Sequence, residues 1–228
     1  MPLTFTRIVS PFVLVAVSLT LAAEQLHHPW LTYGFKPLAT ALILSIALVQ
    51  YRQRHSAFAL WISIGLVFSL FGDVFLMLPI RFFSSGLVSF LMAHVAYLIA
   101  FSRDVKLPAR FTIFLLYFAV FGRFCVFLFP TLPPQLRLAI VFYIFFVSSM
   151  AAQAMGRFLI LRSLPAASAA IGTFLFLLSD TILSYDRFHA PLPGIAFAVL
   201  IPYYLGQWLI ALSTLPDPRV SSALQPVR

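Results

Sequence analysis

Two aspartates sit where aspartates rarely sit. Asp73 lies in Phe71-Gly72-Asp73-Val74-Phe75-Leu76 and Asp180 in Leu178-Ser179-Asp180-Thr181-Ile182-Leu183, each within an apolar run. The other acidic residues, Glu24, Asp104, Asp186 and Asp217, fall between or at the ends of such runs. An Asp at the centre of a membrane span costs roughly 2.5–3.5 kcal/mol, so such residues face the bundle interior and commonly mark function. Asp73 stands six residues before Pro79, and Asp180 six before Asp186. At about 1.5 Å per residue, both carboxyls are expected roughly 9 Å below the same end of their helices. Two carboxyls in a low-dielectric site can divide acid–base work, one donating a proton while the other stays ionised. The sequence leaves open which does which. The alternative is a structural latch, with each Asp bonded to Tyr, Ser or Lys36.

Other polar residues in apolar surroundings are candidates to join them. His94 and Tyr97 are three residues apart and share a helix face. Tyr143 lies in the sixth apolar run, Ser179 precedes Asp180, and Tyr203, Tyr204 and Gln207 follow Pro202 in the eighth. Lys36 opens the second run and Arg123 lies inside the fifth. His94, Tyr97, Tyr143 and Gln207 are expected to line a cavity or orient water, with Ser179, Tyr203 and Tyr204 completing the lining. The competing reading makes the rings and His94 ordinary helix packing, and lets Lys36 and Arg123 merely snorkel to the interface. No Cys/His cluster has zinc spacing and Cys125 is the single cysteine, so neither a metal nor an internal disulfide is expected.

The elements that must position these residues are apolar helices. Of 228 residues, 62% are hydrophobic and 9% charged, against roughly a quarter charged in soluble proteins. Too little polar surface exists to cover a soluble core, so the bilayer is the solvent. The fold class is all-α, a polytopic transmembrane bundle. Eight spans are expected near 8–23, 36–50, 58–78, 83–101, 111–129, 136–155, 166–185 and 194–213, in a single domain over 1–215. A short cytoplasmic tail, 216–228, is expected to be disordered. Arg7, an apolar run and Leu21-Ala22-Ala23 would also suit a cleaved signal peptide, but a polytopic remainder favours a retained first span. The third and seventh spans run in the same direction and carry similar Asp-containing segments, which suggests a four-plus-four parallel repeat.

The net charge of +9 is spread singly or in small groups at the ends of apolar runs, which argues for membrane anchoring and against nucleic acid. With eight spans, Arg7, Arg52, Arg54, Arg103, Lys106, Arg110, Arg157, Arg162, Arg219 and Arg228 share one side. Lys36, Arg81, Arg137 and Arg187, with Arg123 nearby, take the other. The positive-inside rule then places both termini in the cytoplasm and both aspartates toward the outer leaflet. A bacterial chain of this kind belongs in the cytoplasmic membrane.

At these residues the sequence resembles the YhhN family, the lysoplasmalogenases. The likeness runs from Lys36-Pro37-Leu38 to Gln207 and rests first on Phe71-Gly72-Asp73 and Ser179-Asp180-Thr181. It continues in His94-Val95-Ala96-Tyr97, Phe101, Tyr143, Met150 and Tyr203-Tyr204-x-x-Gln207. The resemblance implies hydrolysis of the vinyl ether bond of lysoplasmalogens to a fatty aldehyde and glycerophosphoethanolamine or glycerophosphocholine, with no cofactor. Membrane lipids would be the other partners. Asp73 and Asp180 would be the catalytic pair, and Lys36 or Arg123 would hold the lysophospholipid phosphate. Another lysolipid remains open as the physiological substrate. A proton-coupled transporter of a small amphiphile is the leading alternative, since paired intramembrane acids and a repeat suit a carrier. A non-catalytic lipid-binding subunit is the third.

Overall fold

Long apolar stretches with short polar joints leave the backbone one economical solution, the helix, which satisfies its own N–H and C=O groups. A computed structural model of the chain describes residues 2–217. Its helices are α1 (Pro2–Gln25), α2 (Pro29–Arg54), α3 (Ala57–Met77), α4 (Phe83–Phe101), α5 (Phe111–Leu128), α6 (Arg137–Leu161), α7 (Leu164–Phe188) and α8 (Ile195–Leu212). Among the described residues all eight are long and apolar enough to cross a membrane. The chain is an integral, multi-pass membrane protein. Most of the expected tail, 218–228, lies outside the described residues.

Several helices outrun the apolar segments. Helix α2 begins at Pro29 rather than 36, with proline in its first turn, where the missing N–H costs no intrahelical bond. Lys36 therefore does not open the helix but sits two turns inside it. Pro37, also inside α2, hid that extension from a reading of the sequence. Helices α6 and α7 pass their expected ends at 155 and 185, because a helix continues through polar residues such as Arg157 and Arg187 as it leaves the apolar zone. The connections use few residues. Ser163 caps α7 by accepting from Ala166 N at 3.3 Å, and α8 starts after Gly194 at φ 67, a left-handed geometry that glycine adopts without a Cβ penalty.

Sequential neighbours pack in two series, α1–α2–α3–α4 and α5–α6–α7–α8, joined by α4 on α6 and α2 on α8. Helix α6 is the most buried span and α5 the least. Only Tyr117 and Leu128 of α5 are buried, so α5 is a peripheral helix packed chiefly on α6. Small residues line the contacts, among them Ala93, Ala96 and Ala100 of α4 and Ala151, Ala152 and Ala154 of α6. They let helix backbones approach closely where no water drives apolar burial. At the end of the bundle holding the α4–α5 loop, Gln153 of α6 ties that loop down. Its Nε2 donates to Val105 O at 2.7 Å, and its Oε1 accepts from Ala109 N at 2.8 Å. Arg157 adds a two-toothed pair to Asp104 at 2.6–3.0 Å.

Candidate active site

Helices α2, α3, α4, α6, α7 and α8 surround a cavity of about 450 Å³. Asp73 and Asp180 both line it, with Lys36, Tyr143, Ser179 and Tyr203. Most of the remaining wall is apolar, including Leu76, Leu87, Phe90, Ile144, Leu183 and Leu200. The cavity reaches the helix ends at Leu78, Phe83 and Asp186 to Phe188. Measured from those ends the acids are not level. Asp73 is four residues from the end of α3, whereas Asp180 is eight from the end of α7, because α7 runs past 185. They meet the same cavity all the same.

Asp73 is 1% exposed and densely partnered. Its Oδ2 accepts from Thr40 Oγ1 at 2.5 Å and from Tyr203 Oη at 2.7 Å. The Lys36 ammonium is 4.0 Å from its Oδ1. Thr40 follows Lys36 by one helical turn, so both reach Asp73 from the same face of α2. That i, i+4 spacing was visible in the sequence, but Thr40 was not singled out because a threonine in a helix usually bonds its own backbone.

Asp180 is more sparsely held, with its side chain 13% exposed. Tyr143 Oη donates to its Oδ2 at 2.9 Å, and His94 Nε2 lies 3.6 Å from the same oxygen. No lysine or arginine pairs with Asp180 among the described residues. His94 was expected on the cavity wall but is fully buried behind it, where it meets Asp180 because the longer α7 sets that residue further in. A row of rings links the partners of the two acids: His94 and Phe176 have centroids 4.9 Å apart, and Phe176 and Tyr203 5.4 Å. Phe176 is four residues before Asp180 and was missed, since a phenylalanine in a Phe-rich chain carries no sequence signal.

The other expected site residues separate into three groups. Ser179 lines the cavity but donates its hydroxyl to Val199 O at 2.9 Å, tying α7 to α8. Tyr97, Gln207 and Tyr204 stand behind the wall. Tyr97 Oη donates to Gln207 Oε1 at 2.8 Å and lies 3.3 Å from Ser69 Oγ. Tyr204 Oη reaches Lys36 O at 3.3 Å, bracing the helix that carries the lysine. Arg123 is not at the site: it is exposed on peripheral α5, which contributes no residue to the cavity wall. Arg187, read from the sequence only as a charge at a helix end, does line the cavity. Among the described residues no three His, Cys, Asp or Glu side chains are grouped as metal ligands would be.

The family model described as the YhhN family matches residues 31–214. The lysoplasmalogenase TMEM86B of Sus scrofa is 32% identical over 156 residues, covering 68% of this chain and 64% of the relative. The lysoplasmalogenase TMEM86A of Bos taurus is 31% identical over 159 residues, covering 67% and 64%. The TMEM86B of Homo sapiens is 30% identical over 154 residues, covering 68% and 63%. The matched region thus spans about 64% of the length of these curated relatives. No solved structure matches the chain. The family match takes in all but the first two residues of α2 and the whole of every other helix that walls the cavity, and the chain belongs to the YhhN family.

Proposed function

We propose that this chain is a membrane-embedded hydrolase that cleaves the vinyl ether bond of lysoplasmalogens, releasing a fatty aldehyde and glycerophosphoethanolamine or glycerophosphocholine. The observation that carries the reading is that carboxyls from two helices share one largely apolar cavity reaching the helix ends. A single-chain amphiphile suits such a space, with its alkenyl chain among the apolar walls and its headgroup at the mouth. The lysoplasmalogenase names of the relatives support the same substrate class.

The unlike surroundings of the two acids suggest their roles. Asp73, with two hydroxyl donors and the Lys36 ammonium, serves as the anion. Asp180, held by one phenol and with the His94 imidazole 3.6 Å away, serves as the proton donor. Asp180 gives its proton to the vinyl carbon remote from the ether oxygen, leaving an oxocarbenium-like carbon that Asp73 stabilises. Water adds to that carbon and passes a proton to Asp73. The hemiacetal hydroxyl then returns a proton to Asp180, Asp73 protonates the departing glycerol oxygen, and the C–O bond breaks. One water is consumed and both carboxyls return to their starting states.

Two finer features belong to this reading. The sequence offset that separates Asp73 from Asp180 also separates Lys36 from Tyr143, Gly65 from Gly172 and Tyr97 from Tyr204. Moving four helices along also maps α2 on α8 onto α6 on α4. Both patterns support a four-plus-four parallel repeat in which each Asp is bonded from its own half and approached from the last helix of the other. The distribution of Lys and Arg supports both termini in the cytoplasm and a cavity facing the outer leaflet. The repeat also suits a proton-coupled carrier, which would move an amphiphile across liposomes unchanged. Incubating purified protein with a lysoplasmalogen and its matched alkyl-ether lysolipid decides the matter. Aldehyde from the first alone is expected; a protein that releases none in detergent is not this enzyme.

A further inference from the structure

A lysolipid in this cavity must bring a phosphate to its mouth, and neither cation expected from the sequence is placed to receive it. Arg123 is exposed on another helix. Lys36 is engaged 4.0 Å from Asp73, where a phosphate would compete with the carboxylate that needs the ammonium. Among the described residues the only other cation lining the cavity is Arg187. It lies seven residues after Asp180 on α7, hence on the same helix face and about 10.5 Å further toward the helix end.

We propose that Arg187 is the phosphate anchor of the lysolipid, fixing the depth at which the scissile ether meets Asp180. This rests on the lysophospholipid reading above and deepens it. The glycerol backbone holds the sn-3 phosphate several bonds from the sn-1 ether oxygen, a separation that two helical turns and an extended arginine side chain can span. Among the described residues Arg187 has no ion-pair partner. Its guanidinium packs over the Phe83 ring, 5.3 Å from the centroid, which leaves its donor edge open to a ligand. The neighbouring Asp186 does not take it: Asp186 Oδ1 accepts instead from Leu192 N at 2.8 Å, folding the α7–α8 loop back. A guanidinium offers paired donors to phosphate oxygens that a lysine does not. Binding the headgroup two turns above Asp180 would pin the reacting carbon in register, independently of chain length.

The test uses binding of uncleavable lipids by the full chain, so it does not depend on vinyl ether chemistry. Purified wild type, Arg187→Gln, Arg187→Lys and Arg81→Gln are titrated with an alkyl-ether lysophosphatidylethanolamine and with the phosphate-free alkylglycerol. The Arg187 side chain is exposed, so its variants are expected to fold. Arg187→Gln should weaken the phospholipid by about tenfold or more, the worth of a charged hydrogen bond, and the alkylglycerol much less. Arg187→Lys should recover part of the loss, while Arg81→Gln, outside the cavity wall, binds both lipids as wild type does. Equal loss for both lipids, or no loss for either, overturns the assignment. Absence of aldehyde from wild type with a lysoplasmalogen would instead strike the hydrolase reading and leave this binding result standing.

Discussion

Asp180 has the smaller set of partners of the two acids, and that asymmetry generates the sharpest prediction at the scale of single residues. On the proposed mechanism Asp180 is the proton donor, so Asp180→Asn should lower kcat for aldehyde release by at least about 10²-fold. Tyr143→Phe removes the single hydroxyl donor at 2.9 Å. It should cost about tenfold without preventing folding, since the ring keeps its edge contact with His94 at 4.9 Å. Steady-state assays on variants that elute as wild type does from a sizing column in detergent check both. Near-full turnover by Asp180→Asn would remove the two-acid mechanism. Both aspartates were legible in the sequence because charge in an apolar run is conspicuous. Thr40, Phe176 and Arg187 were not, because each is an unremarkable residue until a neighbouring helix makes it matter.

At the scale of helices, the site depends on how closely α7 and α8 approach, since α7 carries Asp180 and α8 carries Tyr203. A Cβ built on Gly172 would stand 2.7 Å from the Gly206 carbonyl oxygen, and that neighbour is backbone, which cannot rotate aside. Gly172→Val is therefore expected to force the helices apart and to destabilise by about 1–3 kcal/mol. It should also loosen the Tyr203 contact with Asp73 and lower turnover. Gly122→Ala, where nothing lies within 4 Å of the built Cβ, is the control and should leave the melting point in place. Thermal unfolding in detergent reads both, and equal melting points would mean that this close approach does not limit stability. Segment number and type were readable from the apolar runs, whereas helix ends were not. The hydrocarbon zone governs composition while hydrogen bonding governs length, so α2 starts back at Pro29 and α6 and α7 continue through Arg157 and Arg187.

At the scale of the molecule, the charge distribution makes a prediction about orientation. With Cys125, the single cysteine, replaced by Ser, new cysteines at His189→Cys and at His55→Cys probe opposite ends of the bundle. A membrane-impermeant maleimide should label the first in intact cells and the second only after permeabilisation. The reverse pattern would turn the cavity toward the cytoplasmic leaflet and its lipids.

The sequence alone determined the solvent, the number of spans and the two residues worth asking about, because the cost of polar groups in hydrocarbon writes those features into composition. It could not determine which face of each helix looks inward, since a nearly uniform apolar surface carries little phase. Only packing decided that α5 stands aside with Arg123, that Lys36 and Thr40 converge on Asp73, and that His94 and Tyr143 meet Asp180. Those pairings join different helices, and the pattern along any one helix holds no record of them.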